Sequence, residues 1–529
     1  MNRTTWWLGS IGVLSLVVIA CLVAFVIPGS CITCSDQPSN TGCFRAAVLD
    51  HVHQSSRNGG GTKENIKLNL KLYETAAKTA KEQGADIIVF PENGIVYGIG
   101  SRANALKYGE VLPESKTSMC TDSYASSHPI AYQLACLAKE HQMFVAADMI
   151  DVQTCQTKSC PIDKKYAFNT AVLFDRNGYL LGKYHKMHPF GELQFNVPPK
   201  DELVVIETEI GRLSMQVCFD LIYNKPGVVL ASQDKIDTML FPTWWFDELP
   251  FLAASQYQMS WAFGNKINLL ASNIHLVAVG SKGSGIFAGG HGQFEVISEP
   301  DAKARILVAT LPINARSDAQ CSMDSKKIEV PQMVPIPSNV IYNYQMMNLT
   351  ENTVKKLDPS MEAISACDGG VCCQLNYQMD QSSIKSDEEY YLIVTNRTRP
   401  GAYPWTEEYC GLVLCPHMTK LDTCKQISSN NPLQTKFLYA KLSGEFSSET
   451  HVYPSVIGSE HKVLPKDGGL WTYEDEKTDV GAKKQKFFIT FGNKEERKSY
   501  TISTIGLYGR VYARDPPYEQ KPLGESIPL

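Results

Sequence analysis

The sequence predicts an α/β domain followed by a smaller, cysteine-rich, mostly β domain. Apolar runs of strand length alternate with stretches of helical periodicity as far as about residue 315. The composition then turns polar, with several prolines, from Ser317 to Leu357. Beyond it come short strand-like runs with few helical stretches, set among grouped cysteines. A chain of 529 residues is too long for one ordinary core, so more than one domain is expected.

The first element is a leader. From Trp6 to Ile27 there is no charged residue; Arg3 precedes the stretch, and Asp36 and then Arg45 follow it. That asymmetry puts the N-terminus in the cytosol and the rest across the membrane. The stretch is longer than a signal-peptide core of about 7–15 residues and near the roughly 20 residues that span a bilayer. A cleaved signal peptide and an uncleaved signal-anchor over residues 1–30 both stay open, and each places the remainder outside the cytosol, secreted or at the cell surface. The ending Gly524-Glu-Ser-Ile-Pro-Leu529 has no apolar tail after a small-residue site, so no glycosylphosphatidylinositol anchor is expected.

The α/β domain is expected over 44–316. Phe44 to Leu49 reads as a buried strand, and Asn65 to Gln83 carries Ile66, Leu70, Tyr73, Ala77 and Ala80 on one helical face, with Gly84 placed to end it. Ile87-Ile-Val-Phe90 is a continuous apolar strand, and Pro91-Glu92 stands at its exit. A helix over about Pro129 to Gln142 precedes a strand from Met143 to Ile150. Ala167–Phe174 and Tyr179–His185 flank Asn177-Gly178, a hairpin signal. Leu203–Glu207 and Arg212–Val217 form a second strand pair. A helical stretch near Gly227 to Gln233, a strand Thr238–Phe241, a helix Leu252–Asn265 and a strand Asn268–Ala271 complete the pattern. A linker is expected over 317–340. The β domain, over 341–529, has strands at Tyr390–Val394, Phe437–Leu442, Lys486–Phe491 and Tyr500–Tyr512.

Sixteen cysteines, most in close groups, read as disulfides in a translocated chain. The groups are Cys31, Cys34 and Cys43; Cys120 and Cys136; Cys155 and Cys160; Cys367, Cys372 and Cys373; Cys410, Cys415 and Cys424. Outside the leader, Cys218 and Cys321 have no close neighbour. Asn348-Leu-Thr350 and Asn396-Arg-Thr398 are glycosylation acceptors. The net charge of −5, with no basic run, argues against a nucleic-acid partner. His51-Val-His53, or His185 with His188, could be imagined as metal ligands, but no further ligands follow at zinc spacing, and HxH at a strand end is ordinarily polar surface.

Three segments put a reactive residue just after a strand: Val89-Phe-Pro-Glu92, Gly182-Lys-Tyr-His-Lys186, and Leu213-Ser-Met-Gln-Val-Cys218-Phe-Asp220. Taken singly they are ordinary. An unpaired cysteine is commonly a core residue, and a lone lysine or glutamate after a strand is commonly solvated. Chemistry needs all three, since a thiolate nucleophile requires a base and a nearby cation. A papain-type pairing of Cys218 with His185 or His275 lacks that family's local cysteine signature.

The order Glu, Lys, Cys, each at a strand end in one α/β domain, resembles the nitrilase superfamily. The match narrows through Tyr184-His-Lys186, Gly191-Glu192-Leu-Gln-Phe-Asn-Val-Pro198, Cys218-Phe-Asp220, Phe241-Pro-Thr-Trp-Trp245, Ala271-Ser-Asn-Ile-His275, Gly283-Ser-Gly-Ile286, Cys372-Cys373 and Leu507-Tyr-Gly-Arg-Val-Tyr-Ala-Arg-Asp515. Together these resemble the vanin and biotinidase family across residues 44 to 515.

The resemblance implies a four-layer α-β-β-α sandwich carrying Cys218 as nucleophile, Glu92 as general base and Lys186 as electrostatic partner. It implies an orienting role for Glu192, and neither metal nor cofactor. Vanins cleave pantetheine and biotinidase cleaves biocytin. The Phe190-to-Pro198 loop is closer to the vanin form, so pantetheine is the expected substrate, biocytin the alternative, and a catalytically silent binding ectodomain the alternative of another class. One departure stands out. Trp244-Trp245-Phe246-Asp247 replaces the Ala-Trp-Met-Asn typical of both subfamilies, which marks Trp244 and Trp245 as candidate pocket residues.

Overall fold

The computed structural model describes residues 42–518, apart from 57–60, 157–159, 320, 335–340, 350, 401–402, 416–432, 460–461, 467–468, 477–481 and 497. The Trp6–Ile27 stretch, Cys31, Cys34, Cys424 and the C-terminal ending lie outside these residues. Among those described, no helix is long and apolar enough to cross a membrane.

Two sheets face each other in the first half. The larger runs in the order Lys326–Glu329, Arg305–Pro312, Cys43–Asp50, Ile87–Val89, Phe144–Thr154, Lys165–Phe174, Tyr179–His185, Thr117–Ser118. The smaller runs Gln293–Ile297, Ser284–Ala288, Asn268–Asn273, Thr238–Thr243, Gly211–Met215, Ile206–Thr208. Side-chain alternation along a strand explains how one run serves two cores. Ala46, Val48, Ile87, Val89, Ala171 and Leu173 pack inward with Leu213, Met215 and Leu240 of the facing sheet. Their neighbours Ala47, Leu49, Ile88, Phe90 and Val172 pack outward on Leu72, Tyr73, Ala76, Leu134 and Ala138 of the helices Gly61–Glu82 and Pro129–His141. Burial on both faces is why these strands read as unbroken apolar runs. The fourth layer is the helix Ala254–Asn265, which has no solvent-exposed face over its first nine residues, because all of Ala254 to Ala262 is buried. Its far side meets the second half: Tyr257 approaches Tyr453 and Tyr508 edge-on, and Gln256 Nε2 donates to Ser455 Oγ at 2.9 Å.

The second half pairs two antiparallel five-stranded sheets, with Cys373–Cys410 bridging a strand of each. Two expectations need correction. The segment expected as a linker contributes Lys326–Glu329 as an edge strand, paired antiparallel along one side with Arg305–Val308. The cysteine grouping also fails at two bridges: Cys43 bonds Cys321 across 278 positions, and Cys373 bonds Cys410 of the next group. Cys120–Cys136, Cys155–Cys160 and Cys367–Cys372 pair locally, as their spacing suggested.

Arg510 ties the halves together. It is fully buried; its Nε donates to Ile222 O at 3.0 Å, Nη1 to Thr406 O, and Nη2 to Asp515 Oδ2 at 2.7 Å. Removing one member of such a set strands the other charge. Arg510→Met is expected to cost about 3–5 kcal/mol in denaturant unfolding, and Arg510→Lys a large part of it, because an ammonium lacks the planar fork. An unchanged midpoint would show that the guanidinium is not the tie.

Candidate active site

Glu92, Lys186 and Cys218 arrive from three strand exits. Glu92 follows Ile87–Val89, Lys186 follows Tyr179–His185, and Cys218 lies just beyond Gly211–Met215. All three are buried. Lys186 Nζ donates to Glu92 Oε1 at 2.6 Å and to Glu192 Oε2 at 2.5 Å, so one ammonium is clamped between two carboxylates. Asn169 Nδ2 bridges the same pair, 2.9 Å from Glu92 Oε1 and 2.8 Å from Glu192 Oε1. Glu92 Oε2 accepts the Trp244 backbone N–H at 2.8 Å, while the Cys218 thiol reaches the Trp244 carbonyl at 3.5 Å. The peptide groups of Trp244 thus connect base and nucleophile.

Cys218 sits at φ +44°, a left-handed conformation that a side-chain-bearing residue adopts only where its surroundings enforce it. The enforcement comes from Asp220, two residues into the turn Cys218–Ile222. Its carboxylate accepts Val217 N–H at 3.0 Å, Tyr184 Oη–H at 2.8 Å and His188 N–H at 2.9 Å. His188 Nδ1 lies 2.7 Å from the same carboxylate, so a buried hub holds the nucleophile turn against the lysine strand.

The electrostatics follow from burial. Desolvation, then the neighbouring Glu92 carboxylate, push the Cys218 thiol well above its ordinary range, with Lys186 opposing. The resting nucleophile is a neutral thiol, and turnover needs a base. Burial raises Glu92 above the ordinary glutamate range, Lys186 pulls it back, and Glu192 raises it again. Burial also works against the Lys186 ammonium, but Glu192 and Glu92 outweigh it and hold the lysine protonated.

The two tryptophans part company. Trp244 turns its indole toward His53, Tyr97 and Phe246, at centroid distances of 5.5, 5.6 and 5.6 Å. Trp245 turns into the core: its Nε1 donates to Leu252 O at 2.9 Å and its ring stacks on Tyr257. Trp245 is therefore a packing residue rather than part of the cluster around Cys218. The histidines considered as metal ligands are otherwise employed. His51 is fully buried, not surface, with Nε2 at 3.0 Å from Gly94 O; His53 Nε2 lies 3.0 Å from Asn93 O. Both brace the loop after Glu92. His185 pairs with Asp151 and Glu202, and His275 with Asp50, so both histidines weighed as partners for Cys218 are held by carboxylates. No cluster suited to a metal ion occurs among the described residues.

Sequence reasoning missed Asn169, Asp148 and Tyr403. Asp148 is buried beside Glu92, and its Oδ1 accepts the Asn93 N–H at 2.8 Å. Asn169 and Asp148 are polar residues flanked by apolar runs inside buried strands, and that interruption is the signal that could have found them. Tyr403, whose hydroxyl meets the loop of Glu192, carries no such mark.

Residues 51–259 match the carbon-nitrogen hydrolase family, and residues 341–515 match the vanin C-terminal domain. The pantetheinase of Mus musculus is 32% identical over an alignment covering 97% of this chain and 94% of that protein. The chain belongs to the vanin/biotinidase family. As a member it is a hydrolase of carbon–nitrogen bonds in amides. Biotinidase of Bos taurus, another relative, is 28% identical, with 95% and 99% of the two chains covered. A solved amidase from Nesterenkonia sp. is 20% identical with a TM-score of 0.39, covering 52% of this chain and 92% of its own. The disulfides of this family member fit an oxidising, extracellular compartment.

Proposed function

We propose that the protein hydrolyses pantetheine to pantothenate and cysteamine through a thioester on Cys218. The observation that carries the chemistry is the buried Glu92–Lys186–Cys218 set joined through the Trp244 backbone. Glu92 takes the thiol proton as Sγ attacks the amide carbon. Lys186 and the backbone N–H beside Cys218 stabilise the oxyanion, each such donor being worth about 3–4 kcal/mol of barrier. The tetrahedral adduct collapses, the C–N bond breaks, and the proton held by Glu92 leaves on the amine. Water then attacks the thioester, Glu92 takes its proton, the C–S bond breaks, and the carboxylic acid departs with the thiol restored. Glu192 and Asn169 keep the lysine and glutamate in register throughout.

Pantetheine is favoured by the vanin-like loop Phe190 to Pro198 and by the pantetheinase relatives. Biocytin is the second reading, favoured by the biotinidase relatives. The leader would act as a signal peptide or signal-anchor. Asn348 and Asn396 would be the glycosylation acceptors; Asn348 is exposed, and Asn396 Nδ2 donates to Gly369 O at 2.5 Å.

The test is product release by the ectodomain from the two amides. Cysteamine released faster than lysine supports a pantetheinase, and the reverse moves the assignment to biotinidase. Trp244→Ala should leave the chemistry running and change the ratio of kcat/KM between the two amides, because the side chain walls the site while the backbone carries its hydrogen bonds. A ratio unchanged in the variant would remove Trp244 from the pocket.

A further inference from the structure

Glu192 lies on an irregular segment between the strand Tyr179–His185 and the proline pair at Pro198, with no ladder to hold it. It must nevertheless keep a carboxylate on Lys186. The segment's far part is anchored within the α/β half, where Arg102 Nη1 donates to Gln194 O at 3.1 Å and to Asn196 Oδ1 at 2.9 Å. Its near part is anchored from the other half of the chain. Gly191 N–H donates to Tyr403 Oη at 2.9 Å, and Tyr518 Oη–H donates to Pro189 O at 2.7 Å. The two tyrosine rings stack on each other at 5.7 Å with 12° between planes. Phe190 and Phe219 close around Tyr403 at 5.8 Å each. Gly191 itself is at φ +68°, a left-handed setting that glycine adopts without steric cost, so the anchored N–H belongs to the turn that leads directly into Glu192.

We propose that Tyr403 is a positioning residue for the reaction: from the vanin-type domain it holds Gly191, and through it sets Glu192 against Lys186, with Tyr518 as the second clamp. This rests on the reading of Glu92, Lys186 and Cys218 as the reacting set. Burial pushes the Tyr403 hydroxyl above its ordinary range, so it is a neutral partner at working pH. The second domain is then needed for turnover for a local reason, apart from its contribution to folding.

The consequence is readable in a pH profile. Glu92 faces Lys186, Glu192, Cys218 and Asp148. Of these, Glu192 raises Glu92 and Lys186 lowers it. If Tyr403 lets go and Glu192 drifts off, Lys186 acts on Glu92 less opposed. The acid limb then moves to lower pH while kcat falls. Glu192→Gln should move the limb in the same direction.

The experiment measures kcat, KM and the pH profile of kcat/KM on the full ectodomain for wild type, Tyr403→Phe, Glu192→Gln and the double variant. Iodoacetamide alkylation of Cys218 against pH is run beside it as a substrate-free readout. Expected for Tyr403→Phe are a fall in kcat of about fivefold, the size of one lost hydrogen bond, a KM within about twofold, an unchanged melting temperature and an acid limb at lower pH. The double variant should show no further shift than Glu192→Gln alone, as groups acting through one another do. A limb that stays in place in Tyr403→Phe, or shifts that add in full, overturns the proposal. An acid limb that survives Glu92→Gln would instead overturn the general-base reading on which it rests, so the two failures are told apart.

Discussion

Cys218→Ala is expected to leave no amide hydrolysis above background, a loss of about 10⁴-fold or more, on the pattern of nucleophile deletions in acyl-transfer enzymes. The loss should fall on kcat, with the folded state intact. Cys218 is buried beneath the Trp244 carbonyl, and alanine removes one sulfur without adding bulk. The residue still has to adopt φ +44°, which alanine tolerates only as well as cysteine does, so the Asp220 hub keeps the turn in shape. Mass spectrometry of wild type mixed with substrate and quenched should show an acyl adduct on Cys218, absent from the variant. Turnover retained in Cys218→Ala would remove the thioester route altogether and favour a binding ectodomain with contaminating activity.

The second large effect is expected from Glu92→Gln, a fall in kcat of about 10²–10⁴-fold, the usual worth of a positioned proton carrier. Its signature separates it from the first. The Cys218 thiol is pushed up by burial and then by Glu92, with Lys186 opposing. An amide at 92 deletes the second push and leaves the lysine. The thiol should therefore ionise more readily in the variant, and alkylation near neutral pH should be retained or faster while turnover is lost. In wild type the base must be ionised to work. Burial raises Glu92, so activity grows as pH rises through a value above the ordinary glutamate range and is lost as pH falls through it. That acid limb should vanish with the carboxylate. Equal loss of alkylation and turnover would mean that glutamine had disturbed the fold of the site, and Glu92→Asp would then be the variant to examine.

How much of this was legible in the sequence depends on the range over which each feature is determined. Glu92, Lys186 and Cys218 each end a strand-like run, which singly marks nothing; their order Glu, Lys, Cys, through the family resemblance it carries, is what set them together as candidates, and the fold brings Glu92 and Lys186 within 2.6 Å. Helix ends were legible to a few residues. The strand expected to end at Ile150 runs on to Thr154, because Asp151 breaks the apolar run yet is itself buried. Lys183 Nζ at 2.9 Å, His185 Nε2 at 3.0 Å and Leu112 N–H at 3.0 Å satisfy it, partners that no local window contains. Cys43–Cys321 was hidden for the same reason. Its partners meet only because the first strand pairs with Arg305–Pro312, whose far end brings residue 321 alongside. Tyr403 was illegible in a stricter sense. A tyrosine in a loop of a second domain has no pattern, and its bond to Gly191 spans 212 positions.

The hydrogen bonds at Trp244 divide one residue into two inheritable parts. Its amide and carbonyl hold the proton carrier and the nucleophile in place, and any amino acid but proline supplies both. Its indole lies among His53, Tyr97 and Phe246, and 244 is one of the positions at which this sequence departs from the pattern its family resemblance implies. A chain built this way can have the surroundings of its nucleophile reshaped by a single substitution at position 244 without dismantling the hydrogen bonds beneath. New substrates are then reached by replacing a wall while the frame stands.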